Sequence, residues 1–234
     1  VEGTKIVYEA AVKAGVSRMI FTSSYSNYGE SKHGEPVTEE SPLYAKSIYA
    51  ESKIEAERFL LSQTNPNSTA PICLRLATVF GLSPRTRFDL IINQFVLDAY
   101  IKGKLKIYQE DFNRSFVHIR DVTRAMIQMM NVPLVKISNQ VLNLGSENLN
   151  LSKKKLVQLI QNYIPQLKVE FLDKEFRGDM RSIHVSFEKI RKLLQFEAKI
   201  SIEEGIQELL WALNSGMISD PKNKNYHNHP PILV

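Results

Sequence analysis

Pro71-Ile72-Cys73-Leu74-Arg75-Leu76-Ala77-Thr78-Val79-Phe80 is a near-continuous apolar run of strand length. A run without polar alternation marks a strand buried on both faces, as in parallel sheets covered by helices. Working outward, the segment from about Ser47 to Gln63 reads as a helix, with Tyr49, Ser52 and Lys53 near its start and apolar Phe59-Leu60-Leu61 near its end. Before it lies a loop rich in Gly, Pro and charge, Gly29 to Pro42, and before that a short strand, Arg18-Met19-Ile20-Phe21-Thr22-Ser23. The opening residues form a helix, with Thr4 as N-cap, Ile6, Val7, Ala10 and Ala11 as an apolar stripe, and Gly15 as the stop. Helix, strand, helix, buried strand is the pattern of a doubly wound parallel sheet.

Past Gly81 the regularity breaks. A basic, Pro-containing loop from Leu82 to Asp89 leads to an apolar helix near 90–101, a strand at 116–119, a helix at 122–130 and an apolar strand at 141–144. The rest reads as a smaller α+β lobe with helices at 152–163, 187–194 and 202–213 and a strand at 167–172. Ile202, Ile206, Leu209, Leu210 and Leu213 form a helical stripe in the last helix. The expected division is a partial dinucleotide-binding domain of residues 1–81 and 113–145, a substrate-binding lobe of residues 82–112 and 146–213, and a tail from 214 to 234.

Of the 234 residues, 43% are hydrophobic and 24% charged, which is ordinary for a globular chain. No apolar stretch approaches ~18 residues, which excludes a membrane-spanning helix. The lone Cys73 sits in the apolar run and reads as a small buried hydrophobe of a reducing compartment. The formal charge of +5 is spread along the chain, and its densest run, Lys153-Lys154-Lys155, has no interleaved aromatics. That run reads as a solvated helix start, and nucleic acid is not an expected partner.

Tyr49 and Lys53, spaced i and i+4, share one helix face. Tyrosine is a poor base at its ordinary pKa of about 10, and a lysine cation a few ångströms away favours the phenolate. Ser24, at the end of the first strand, is the natural hydroxyl to hold a substrate oxygen, because strand C-terminal ends line the crevice of such sheets. Alone, the spacing is a weak signal, since Tyr and Lys four apart are usually a solvated stripe.

The context strengthens it. Phe21-Thr22-Ser23-Ser24-Tyr25-Ser26-Asn27-Tyr28-Gly29 followed by Tyr49-Ala50-Glu51-Ser52-Lys53 resembles the paired signature of the extended short-chain dehydrogenases, the nucleotide-sugar epimerase/dehydratase family. The likeness continues at Leu74-Arg75-Leu76-Ala77-Thr78-Val79-Phe80-Gly81, Arg114-Ser115-Phe116-Val117-His118-Ile119-Arg120-Asp121-Val122, Asn143-Leu144-Gly145 and Asp179-Met180-Arg181. The resemblance implies a Rossmann-like α/β fold with a smaller α+β lobe, and NAD as cofactor with NADP as the alternative. It also implies a nucleotide-sugar substrate, no metal, a cytoplasmic setting and a homodimer. By it Tyr49 is the general acid/base, Lys53 also holds the nicotinamide ribose, Ser24 positions the sugar oxygen, and Ser23, Ala77 and Val79 line the cofactor. Arg114 clamps the diphosphate, Arg181 closes the site from the second lobe, and Thr78 and Asn93 contact the nucleotide sugar. Arg114 reads otherwise as a surface ion pair, and Thr78 as a strand-end hydroxyl. His118 reads as structural, tied to Asp121 at the following helix start.

The family's glycine-rich phosphate loop is not among the ten glycines of the chain, none of which fall in G-x-x-G-x-x-G spacing. By the resemblance the first half of the dinucleotide domain is missing, whether because the sequence is a piece of a longer protein or because the gene is truncated. Family members that dehydrate carry an Asp-Glu pair just after the catalytic hydroxyl residue, where this chain has Tyr25-Ser26. That departure points to a nucleotide-sugar 4-epimerase, with a ketoreductase as the alternative. A third reading is a non-catalytic remnant acting as a binding module.

Overall fold

Three of the apolar segments pair side by side, all parallel. The computed structural model describes residues 1–29, 35–63, 69–172 and 182–228. Its elements run α1 (Glu2–Lys13), β1 (Arg18–Ser24), α2 (Ile48–Leu61), β2 (Ala70–Leu76), β3 (Thr78–Phe80), α3 (Ile91–Lys102), β4 (Lys104–Tyr108) and β5 (Asn113–His118). They continue with α4 (Ile119–Asn131), α5 (Leu134–Ile137), β6 (Val141–Leu144), β7 (Asn150–Ser152), α6 (Lys153–Gln161), β8 (Lys168–Leu172), α7 (Glu188–Leu194) and α8 (Ile202–Asn214). The main sheet has the order β1-β2-β6, with Ser24 opposite Leu76 and Leu76 opposite Leu144. The C-terminal ends of the three strands therefore finish level, as a site at the end of a parallel sheet requires.

Local chemistry explains most boundaries. The Ser47 hydroxyl accepts from the Ala50 N–H and starts α2; Ser201 and Glu204 form a reciprocal capping box on α8. α1 begins earlier than Thr4, with Val1 as its N-cap, because the Val1 carbonyl accepts from the Thr4 and Lys5 N–H groups.

Two readings of the strands are corrected. The run 71–80 is not one strand: at Ala77 the backbone N–H bonds the Leu144 carbonyl, and β3 then leaves to pair with β5 in a second sheet of order β3-β5-β7. β4 was absent from the sequence expectation, yet Lys104 and Lys106 alternate with buried Leu105 and Ile107, a period of two. It pairs parallel with β8.

The packing gathers into two large cores. One lies on the main sheet around Ile72, Leu74, Leu142 and Leu144, beneath Val122, Ala125 and Met129 of α4. The other joins Phe80, Ile92, Val96 and Ile107 to Leu156 and Ile160 of α6 and Ile206 and Leu209 of α8. Ile183, Val185, Phe187, Ile190 and Leu194, expected in the second lobe, pack in the sheet core instead. The Val185–Val37 bridge and the Ile183 N–H bond to Asn113 hold that segment there. Residues 217–228, expected as a tail, fold back on the loop before α3. The Phe88 N–H bonds the Tyr226 carbonyl, and the Phe88 ring meets the Tyr226 ring edge-on at 5.9 Å.

Candidate active site

β1 delivers Ser23 and Ser24 to the end of the main sheet, both buried. Extended geometry at Ser24 lets its Oγ accept from the Ser26 N–H at 3.1 Å, opening the 3-10 turn Tyr25–Tyr28. Ser23 Oγ accepts from Asn27 Nδ2 at 3.2 Å, which leaves its own proton as a donor.

α2 brings Tyr49 and Lys53 beside this strand end on one face. Lys53 Nζ donates to the Thr22 carbonyl at 2.7 Å and lies 4.7 Å from the Phe21 ring and 5.7 Å from the Tyr49 ring. Burial lowers the Lys53 pKa below its ordinary 10.5, and the nearby Glu57 carboxylate works against that shift. Tyr49 itself is 54% exposed and neighbours Ile48 at 85%, whereas Ala50 in the same turn is buried. Among the described residues no hydrogen bond joins the Tyr49 hydroxyl to Ser24. The structure thus brings Tyr49, Lys53 and the Ser23–Ser24 strand end to one corner without closing the trio.

The other expected residues divide. Ala77 is buried at the β2–β3 switch, and Val79 is half-buried one residue past Thr78. Thr78 Oγ1 is 2.8 Å from the Tyr25 hydroxyl, which ties the strand after Ala77 to the turn after Ser24. Asn93 is buried and its amide is engaged: Oδ1 accepts from the Gly81 N–H at 3.0 Å, and Nδ2 donates to the Arg87 carbonyl at 3.1 Å. It holds the 81–87 loop. Arg114 is buried on β5, opposite Leu151, so the surface ion pair is not its setting. Arg181 lies outside the described residues.

His118 is structural, but its partner is not Asp121. Nδ1 accepts from the Arg120 N–H, so the proton sits on Nε2, which donates to Glu208 of α8 at 2.6 Å. Asp121 instead accepts from the Lys199 and Ile200 N–H groups and pairs with Arg124. Gly81 completes this joint: its φ is +103°, and an added Cβ would lie 2.2 Å from His118 Nε2, so only glycine fits.

Sequence reasoning missed a buried polar cluster under α2. Arg75 is bidentate on Glu57, with Nη2–Oε2 at 2.6 Å and Nε–Oε1 at 3.0 Å, and its Nη1 donates to the Tyr28 hydroxyl. Burial pushes the Tyr28 hydroxyl up to about 12, and that group donates to Asn143 Oδ1 at 2.6 Å. The one visible signal was a lone arginine inside an apolar run.

A parallel sheet with a Tyr–Lys helix at its C-terminal end and a hydroxyl strand end beside it defines a Rossmann-type scaffold. The model of the NAD dependent epimerase/dehydratase family matches residues 1–145, and the chain belongs to that family. The UDP-glucuronate 4-epimerase of Thermodesulfobacterium geofontis is 28% identical over 211 residues, covering 88% of this chain and 62% of that protein. The dTDP-D-glucose 4,6-dehydratase of Mus musculus is 27% identical over 238 residues, covering 97% of this chain and 62% of its own length. The solved structure of MoeE5 in complex with UDP-glucose and NAD superposes with a TM-score of 0.79 at 26% identity, over 92% of this chain and 71% of that one. The chain thus spans 62% of the length of either relative.

Proposed function

We propose that this chain carries the acid/base half of a nucleotide-sugar 4-epimerase. The observation that supports it most is the content of positions 25 and 26. Tyr25 and Ser26 are buried beside Ser24, and the Tyr25 hydroxyl is engaged with Thr78, so no carboxyl stands there to take a C5 proton or expel a C6 hydroxyl. Oxidation and return at C4 without loss of water is the chemistry left to Ser24, Tyr49 and Lys53.

In this reading Ser24 orients the C4 oxygen, and Tyr49 takes its proton and later returns it. The Lys53 cation stabilises the phenolate and holds the nicotinamide ribose. Ser23, Ala77 and Val79 line the cofactor. Thr78, Asn93, Arg114 and Arg181 contact the nucleotide sugar, the two arginines at its diphosphate. The nicotinamide–ribose end of NAD fits the corner formed by the Ser23–Ser24 strand end, Ala77 and the half-buried Lys53. The glycines of this chain offer no G-x-x-G-x-x-G cradle for the pyrophosphate. Bound there, NAD supplies a hydride acceptor at C4. A homodimer in a reducing, cytoplasmic setting belongs to the same reading, and light scattering checks the dimer.

The test is incubation of the protein with NAD and UDP-glucose or UDP-glucuronate, followed by separation of the 4-epimers. Formation of the epimer supports the reading. A product lighter by one water would make it a dehydratase, and NADH-dependent reduction of a 4-keto sugar would make it a ketoreductase. No turnover with retained nucleotide-sugar binding would favour the binding module.

A further inference from the structure

Tyr49, Lys53 and Glu57 stand at i, i+4 and i+8 on α2, so one stripe of that helix carries both proposed catalytic groups and a third ionisable side chain. Glu57 is 2% exposed, a position where an unpaired carboxylate would be very costly. Its charge is met by Arg75, itself 4% exposed, through two parallel bonds from β2. Its Oε1 also accepts from Asn27 Nδ2 at 3.0 Å, and the same nitrogen donates to Ser23 Oγ at 3.2 Å. One carboxylate therefore ties together α2, the middle of the sheet and the turn that follows Ser24.

Stability alone is a poor explanation for such a pair. Replacing a buried ion pair with apolar side chains of similar volume is often neutral or stabilising. What the geometry fixes is the rotation of α2 about its axis and its height along β1. That rotation sets where Lys53 meets the Thr22 carbonyl, at 2.7 Å, and where Tyr49 stands relative to the strand end. A misplacement of about 1 Å in a catalytic group can cost about 100-fold in rate. We propose that Glu57 is a positioning residue of the Tyr49–Lys53 site, holding α2 against the Ser23–Ser24 strand end through Arg75 and Asn27. The inference rests on the 4-epimerase reading for its consequence, but its geometry can be tested without activity.

The experiment compares the wild type with the double variant Glu57→Leu/Arg75→Met, in which no buried charge is left alone. The first readout is the Lys53 ammonium signal in NMR at low temperature and mildly acidic pH, where exchange is slow enough to follow the group that donates to Thr22, recorded beside the melting temperature. Positioning predicts that this signal broadens or vanishes while the melting temperature stays close to wild type. An unchanged signal in the folded double variant overturns the proposal, whatever the enzyme does. The second readout is epimerisation, where kcat falls at least about 10-fold with KM nearly unchanged. A kcat within about twofold of wild type also overturns it. A wild type without turnover counts against the epimerase reading alone, and the Lys53 signal then decides. If the double variant does not fold, Asn27→Ala carries the same two readouts, since it cuts the tie to Ser23 and leaves the ion pair in place.

Discussion

Glu208→Ala should destabilise the protein far more than the loss of one partly exposed carboxylate in the middle of α8 suggests. Glu208 Oε1 accepts from the Leu82 N–H and from His118 Nε2, each at 2.6 Å, and Oε2 accepts from Arg120 at 3.0 Å. The Arg120 side chain is largely exposed, so that pair contributes little. The other two donors are different. His118 is fully buried and the Leu82 N–H partly so, and leaving a buried donor unsatisfied costs about 1–3 kcal/mol. Taking the middle of that range for His118 and the low end for Leu82 gives about 3 kcal/mol. For a chain of this size each kcal/mol moves the midpoint by about 2–4 °C, so the melting temperature should fall by about 6–12 °C. Differential scanning calorimetry and urea titration measure it, with Arg120→Ala as the internal contrast, expected to cost no more than about 1 kcal/mol. A Glu208→Ala protein within about 0.5 kcal/mol of wild type would refute the idea that α8 is pinned to the β5–α4 junction through His118.

The same carboxylate should make the protein acid-sensitive. Burial disfavours its ionised form, but the hydrogen bonds from His118 and the Leu82 N–H outweigh burial and hold Glu208 below its ordinary 4.5. A depressed folded pKa means stability that is present above about pH 4.5 and lost as pH falls through the folded value. Urea midpoints between about pH 5 and pH 3 should therefore drop more steeply for wild type than for Glu208→Gln. Phe88→Ala empties a site packed against Tyr226 and His227 and should cost about 3–5 kcal/mol. Limited proteolysis should then cut first within 217–228. Under the 4-epimerase reading, Tyr49→Phe should lower kcat by ~10²–10⁴ with NAD affinity largely kept, and an unchanged kcat would place the proton transfer elsewhere.

The main sheet was legible because its signal is local. Ile72, Cys73 and Leu74 are consecutive and all buried, as parallel strands covered on both faces must be, and in the partner strand Leu142 and Leu144 are buried on either side of Asn143. β4 was legible but unread: the Lys-Leu-Lys-Ile alternation is short, and charge at every second position obscures a strand that pairs with residues 64 positions away, Lys104 with Lys168. The break at Ala77 has no local mark at all. It is made by the Leu144 carbonyl, which takes the Ala77 N–H and lets β3 turn to another sheet.

The site divides along the same line. That Tyr49 and Lys53 share a face follows from 3.6 residues per turn, and that Ser24 ends a strand follows from the small polar residues there. Where these groups stand relative to one another depends on bonds between distant parts of the chain. Asp121 was the plausible partner for His118 because it is three residues away; the actual partner, Glu208, is 90 residues on. The Asn93 amide also holds the Gly81 loop, a bond across 12 residues that no spacing rule gives. The Glu57–Arg75 pair spans 18 residues and two elements, and no spacing rule joins them. Each of these is a buried polar group whose partner had to come from somewhere, since burial without one is costly. Periodicity can show that such a residue lies inside, as Arg75 does within its apolar run. It cannot say which element supplies the partner, and at the corner where Tyr49, Lys53 and Ser24 meet, that choice of partners sets the geometry.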